Sequence, residues 1–234
     1  MYSDFKIIPP FFEIGPKAYL YDRAVLELAR HAERISRKYD VRIIFTPQTV
    51  DIRLIVEGTK NLLVFAQHMD GLPVGRGVGS VLPEAVKAAG AVGVLLNHVE
   101  KRLSMEELEH TIRRADEVGL ASMACANDLN EASTIARMAP NIIIVESPDM
   151  IEGGKRAEND SEAVTRINTT IWDINPEISV LHGAGIASGR DVHNIIMAGS
   201  QAAGSTSGII KAPDPFAMLE EMIRAEREAW DQIH

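Results

Sequence analysis

Gly93-Val-Leu-Leu-Asn-His98-Val-Glu100-Lys-Arg102 is the stretch on which the reading of the fold turns. An unbroken apolar run stops at a histidine, a carboxylate and two cations. Ser104-Met-Glu-Glu107 then spells a capping box, in which Ser104 and Glu107 satisfy each other's backbone donors at the start of a helix. Apolar residues without polar alternation indicate a strand covered on both faces, as in a parallel sheet. Polar residues at its C-terminal end arrive where strand–helix repeat folds keep their chemistry. Further along, Ile142-Ile-Ile-Val145 repeats the pattern and ends in the bare carboxylate of Glu146.

The same alternation runs through the chain. Strands are expected at Phe11–Ile14, Val41–Thr46, Leu62–Ala66, Gly93–Leu96, Ala121–Cys125, Ile142–Val145, Ser179–Leu181 and Ala203–Ser205. Helices are expected at Asp22–Lys38, Asp51–Glu57, Leu82–Ala89, Ser104–Val118, Leu129–Met138, Ser161–Ile174, Arg190–Ala198 and Pro213–Trp230. The first of these sets Ala24, Leu26, Leu28, Ala29, Ala32 and Ile35 mostly along one face. Gly119 is a natural C-terminal stop for the fourth. Eight such units without a low-complexity linker favour an α/β fold with one closed (β/α)8 TIM barrel, a single domain over 1–234. An open doubly wound sheet is the alternative, because periodicity alone does not distinguish the two closures.

Composition narrows the function. Hydrophobic residues are 46% and charged residues 24% of 234, ordinary for a globular chain with a substantial core. A net charge of -9 argues against nucleic acid as a partner, since phosphate neutralisation needs clustered Lys and Arg. No apolar run is long enough to span a bilayer, and residues 1–4 resemble no secretory signal, so no membrane role and a cytoplasmic location are expected. A single cysteine, Cys125, excludes an internal disulfide and a Cys-based zinc cluster.

Each candidate site residue has a plainer alternative. Glu146 at a strand end can be partly desolvated and act as a base, or it can be a solvated loop carboxylate. His98, near a helix N-terminus, is disposed to the neutral imidazole and can donate a hydrogen bond to a substrate oxygen, or it is satisfied by backbone beneath the loop. Lys17, just after the first strand in Ile14-Gly15-Pro-Lys17, can meet an anionic substrate with Glu100 holding its ammonium, or it lies on the surface. His182-Gly183-Ala-Gly185-Ile-Ala-Ser188-Gly189 and Gly204-Ser-Thr-Ser207-Gly208 follow the seventh and eighth strands, where barrels commonly bind phosphate; glycine also serves ordinary turns. Ser147–Gly154, with Pro148 at one end and Gly153-Gly154 at the other, is a candidate lid.

Taken together, these residues resemble the triosephosphate isomerases, especially the short archaeal-type branch. The likeness runs from about Phe11 to Leu219. Its strongest stretches are Phe65-Ala-Gln-His-Met-Asp70, Val81 to His98, Arg114-Ala-Asp-Glu-Val-Gly-Leu120 and Gly183-Ala-Gly-Ile186. The resemblance implies an aldose–ketose isomerase that acts on a small phosphorylated sugar through an enediol, with no cofactor and no metal. It implies Glu146 as base, His98 as electrophile and Lys17 as the cation, supported by Glu100. Gly183, Gly185, Ser207, Gly208 and Gly154 would hold the phosphate. It also implies a homodimer or homotetramer, joined through Gly71-Leu-Pro-Val-Gly-Arg-Gly-Val-Gly79.

The chain departs from the family at three places. Gly15 stands where the family has an asparagine, Val99 replaces the serine after the histidine, and the lid reads Pro148-Asp-Met-Ile-Glu-Gly-Gly154. Three functions follow as expectations. The first is interconversion of glyceraldehyde 3-phosphate and dihydroxyacetone phosphate. The others are isomerisation of a tetrose or other short phosphosugar, and a barrel that binds a phosphometabolite without turning it over.

Overall fold

The computed structural model describes residues 1–146 and 160–234. The candidate lid Ser147–Gly154, including Gly154, lies outside the described residues.

Strands β1 (Phe11–Ile14), β2 (Arg42–Phe45), β3 (Leu63–Ala66), β4 (Gly93–Leu96), β5 (Ala121–Ala126), β6 (Ile142–Val145), β7 (Ser179–His182) and β8 (Ala202–Ser205) pair in parallel in sequence order. β8 closes on β1, so the sheet is a barrel and the open doubly wound alternative is excluded. The expected strands fall within a residue or two of these.

Alternation along the strands divides the interior in two. Phe12, Ile14, Ile43, Phe45, Val94 and Leu96 point outward and pack under the helices in one cluster. Phe11, Ile44, Phe65, Leu95, Met123, Ile142, Ile144 and Leu181 point inward and fill the barrel axis as a second. That is why the strands read as continuous apolar runs: both faces are buried.

The outer ring comprises α1 (Asp22–Tyr39), α2 (Ile52–Gly58), α3 (Pro83–Ala88), α4 (Met105–Val118), α5 (Leu129–Arg137), α6 (Asp160–Ile174), α7 (Gly189–Met197), the short α8 (Ser207–Ile210) and α9 (Pro215–Ile233). The capping box at Ser104 is present: its hydroxyl accepts from the Glu107 N–H and the Glu107 carboxylate accepts from the Ser104 N–H. Gly119 stops α4 in the left-handed region at φ 75°. No helix among the described residues is long and apolar enough to cross a membrane.

One buried group opposes this packing. Glu226, on the inner face of α9, is fully buried, and neither carboxylate oxygen has a well-formed hydrogen bond among the described residues. Burial holds its carboxyl well above the usual range, and the Ala203 backbone offsets this only in part. A carboxyl whose folded pKa is raised loses stability as pH rises, because the unfolded chain ionises while the folded one stays neutral. Glu226→Met should therefore stabilise the protein by about 1–3 kcal/mol at neutral pH. In thermal melts the gain should shrink below about pH 4, where both states are protonated; a Tm below wild type at neutral pH would contradict it.

Candidate active site

The axis of the barrel is apolar at its base and becomes polar at the C-terminal ends of the strands. There a cavity of about 670 Å³ opens, lined among others by Glu13, Gly15, Lys17, Thr46, Gln67, His98 and Glu146.

His98 follows β4 through Asn97, a fully buried residue held in the left-handed region at φ 61°. Asparagine tolerates that conformation better than most residues. Its amide is fixed on both sides: Nδ2 donates to the Cys125 carbonyl (3.0 Å) and Oδ1 accepts from the Leu103 N–H (3.2 Å). The chain then makes a single 3-10 turn, Val99–Lys101, before α4. Its Glu100 N–H donates to His98 Nδ1 at 3.1 Å. A ring nitrogen that accepts carries no proton, so in the neutral imidazole the hydrogen sits on Nε2. Nε2 lies 3.7 Å from Glu146 Oε2. Burial, and then the Lys17 ammonium, push the His98 pKa down to about 4, against a smaller opposite pull from Glu100. The sequence led us to expect the helix after Ser104 to act on this histidine; the local contact is made instead by the short turn before it.

Glu146 is half-buried directly after β6, with its N–H donating to the Ala126 carbonyl (2.9 Å). Its Oε1 accepts from the Ala184 N–H at 3.1 Å. Gly183 is required there by space, because a Cβ at that position would run into the Glu146 carboxylate. Gly183 thus stands directly against Glu146.

Lys17 takes φ 48°, unusual for a residue with a side chain. Its carbonyl accepts from Gln67 Nε2 (3.2 Å), which also donates to the Thr46 carbonyl (2.9 Å). Its ammonium donates to Glu100 Oε1 at 2.7 Å, and this contact holds the Glu100 carboxyl below its usual range. The expected Lys17–Glu100 pairing is thus present.

The loops after β7 and β8 lie against each other at the cavity mouth, where the Ser205 hydroxyl donates to the Ile186 carbonyl at 2.9 Å. Ala184 and Gly185 both take positive φ, 47° and 68°. Ser207 and Gly208, read from sequence as a glycine loop, instead begin the short helix α8. A Cβ at Gly208 would clash with the Ile186 carbonyl, so this glycine lets the two loops approach closely. Lys211, just after α8, also lines the cavity, with its ammonium 5.6 Å from the Tyr19 ring centre.

Sequence reasoning missed Glu13, Thr46, Gln67 and the positioning role of Asn97. Glu13 projects inward from the middle of β1 and is 8% exposed. The signal was available: a lone carboxylate inside Phe11-Phe-Glu13-Ile14 is out of place in a buried strand unless it faces a site. The same side chain explains Gly15, where a Cβ would sit 2.9 Å from Glu13 Oε1 and 3.1 Å from Thr46 Oγ1.

A closed eight-stranded parallel barrel with a polar cavity at the C-terminal strand ends defines the class of the protein: a (β/α)8 barrel with its site in the usual place for that fold. The triosephosphate isomerase family model matches residues 17–222. A triosephosphate isomerase of Methanosarcina barkeri (strain Fusaro / DSM 804) is 37% identical over 218 residues, 92% of this chain and 98% of that protein. One of Methanobacterium bryantii is 37% identical over 217 residues, covering 92% and 96%. One of Sulfurisphaera tokodaii is 33% identical over 230 residues, covering 96% and 98%. The chain belongs to the triosephosphate isomerase family.

The depressed His98 pKa has a direct readout. Ring nitrogen shifts in NMR should show His98 as the neutral, Nε2-protonated tautomer from about pH 5 upward, with protonation only near pH 4. A titration midpoint close to the ordinary histidine value of about 6.5 would contradict it.

Proposed function

We propose that the protein interconverts glyceraldehyde 3-phosphate and dihydroxyacetone phosphate, with the stretch 1–234 acting as one barrel unit. The observation that carries this reading is the pairing of His98 and Glu146 in the cavity: an Nε2–H donor and a carboxylate 3.7 Å apart, one on the end of β4 and the other on the end of β6. A substrate seated against both presents a carbon-bound proton to the carboxylate and a carbonyl oxygen to the imidazole.

In this mechanism Glu146 takes the proton from the carbon beside the carbonyl and returns it to the neighbouring carbon. His98 donates Nε2–H to the carbonyl oxygen as charge develops there and takes back the proton of the neighbouring hydroxyl, so that the second carbon becomes the carbonyl. A neutral imidazole suits that task, because its weak acidity lets it donate to an enediolate and recover the proton. Lys17 supplies positive charge for the oxyanion and the phosphate, and Glu100 orients its ammonium. The loop Gly183–Ile186 and the start of α8 at Ser207 and Gly208, with Lys211, receive the phosphate; Ala184, Gly185, Ile186, Ser207 and Lys211 line the cavity. Residues 147–154 are assigned the water-excluding lid by sequence alone. No step needs a cofactor or a metal.

We also infer self-association through the loop after β3. Val74 and Val78 are largely exposed there, although they are apolar and lie on a glycine-rich segment. Sedimentation should show a dimer or tetramer, and Val74→Asp with Val78→Asp should shift it towards the monomer. A monomeric wild type would remove this reading.

The chemical assignment is tested with Glu146→Gln. Coupled assays on both triose phosphates should show kcat falling about 1,000-fold with KM little changed. Activity within tenfold of wild type would remove Glu146 from the role of base.

A further inference from the structure

Glu13 is unused by the chemistry above, yet it is the most deeply buried carboxylate facing the cavity. Its place follows from the barrel register: it pairs with Ile44 on β2 and Gly204 on β8. Gly204 leaves it room, since a Cβ there would come within 3.2 Å of both Glu13 Cβ and Oε2. Gly15 leaves it room on the other side. Two adjacent glycine positions therefore accommodate one carboxyl at the top of the barrel axis.

Its two oxygens differ. Oε1 accepts the Thr46 hydroxyl at 2.7 Å, and Thr46 is itself buried. Oε2 has no hydrogen-bond partner among the described residues and lines the cavity. When the carboxyl is neutral, donation by Thr46 to Oε1 leaves the acid proton on Oε2. The groups that face Glu13 electrostatically are Glu146 on the β6 side, Lys17 on the β1 loop and Cys125 on β5. Burial is the largest influence and raises its pKa to about 8; Glu146 adds to this, while Thr46 and Lys17 oppose it.

We propose that Glu13 is a further catalytic residue, a neutral carboxylic acid whose Oε2–H donates to the substrate oxygen that becomes anionic in the enediolate. It would share that oxygen, or its neighbour on the adjacent carbon, with His98. The chemistry fits: a preorganised neutral donor in a dry site stabilises developing charge more than a water can, and no proton need be transferred. The proposal rests on the isomerase reading, and its tests separate the two.

Glu13→Met, Glu13→Gln and wild type are compared in the isomerase assay over pH. Wild-type kcat should decline above about pH 8 as the donor ionises. Glu13→Met, without a donor, should lose about 100-fold in kcat with KM little affected. Glu13→Gln keeps an N–H donor that does not ionise, so it should retain activity within about tenfold and lose the alkaline decline. Glu13→Met within threefold of wild type, or an alkaline decline that persists in Glu13→Gln, would overturn the proposal. A second readout does not depend on turnover. Infrared spectra of wild type at neutral pH should contain, beside the band of buried Glu226, a second protonated-carboxyl C=O band that is missing in Glu13→Gln and shifts when 2-phosphoglycolate, a carboxylate mimic of the enediolate, is added. If triose phosphates are not turned over but the band shifts, the Glu13 contact stands and the isomerase reading falls. If the band is absent or does not shift, Glu13 is a structural carboxyl and the proposal fails.

Discussion

The cost of placing charge in a closed parallel barrel governs the rest of the structure. Eight strands covered by helices outside and by their own side chains inside leave no wet face. An uncompensated charge along the axis would cost several kcal/mol, so the axis is filled by Phe11, Phe65, Ile142 and Leu181 until it nears the strand ends. Ionisable groups are thereby concentrated at one rim, close enough to alter one another. The low His98 pKa and the high Glu13 pKa are two results of the same desolvation, which disfavours the charged form of each.

At that rim one short turn settles several questions at once. Asn97 accepts a conformation few residues tolerate and is locked by the Cys125 carbonyl and the Leu103 N–H. The turn that follows points the Glu100 N–H at His98 Nδ1 and the Glu100 side chain at Lys17. Backbone and side chain of one residue thus fix the imidazole tautomer and the lysine position. Lys17 in turn lowers the His98 pKa through space. The Glu100 carboxylate opposes it only weakly, because it is more exposed and already paired.

How far this was legible in the sequence depends on whether a residue announces itself locally. The strands did, because burial on both faces leaves uniform apolar runs such as Ile142–Val145. The Ser104 capping box did, because its two partners are three residues apart. His98 and Glu146 stood out as polar residues ending such runs. Glu13 did so only as a carboxylate out of place inside a buried strand; the register with Ile44 and Gly204 is what places it on the axis near the rim. Thr46 and Gln67 were hidden, because their roles come from strands brought together by closure. The helix at Ser207–Ile210 is four residues long, too short for periodicity to register.

The roles proposed for the two inward carboxyls would give one cavity groups of opposite function. Glu146 is met by donors, the Ala184 N–H at Oε1 and the His98 Nε2–H side at Oε2, so it is disposed to act as an acceptor of protons. Glu13 is met by a hydroxyl at Oε1 only, with Gly15 beside that oxygen and Gly204 beside Oε2. Ionising both would set two negative charges around one substrate, which the local cations Lys17 and Lys211 would have to offset while also serving a phosphate. Keeping Glu13 protonated avoids that conflict. Gly15 belongs to the same solution: any larger side chain there would press on the Glu13 carboxyl, so the glycine at position 15 makes room for the carboxylate at position 13.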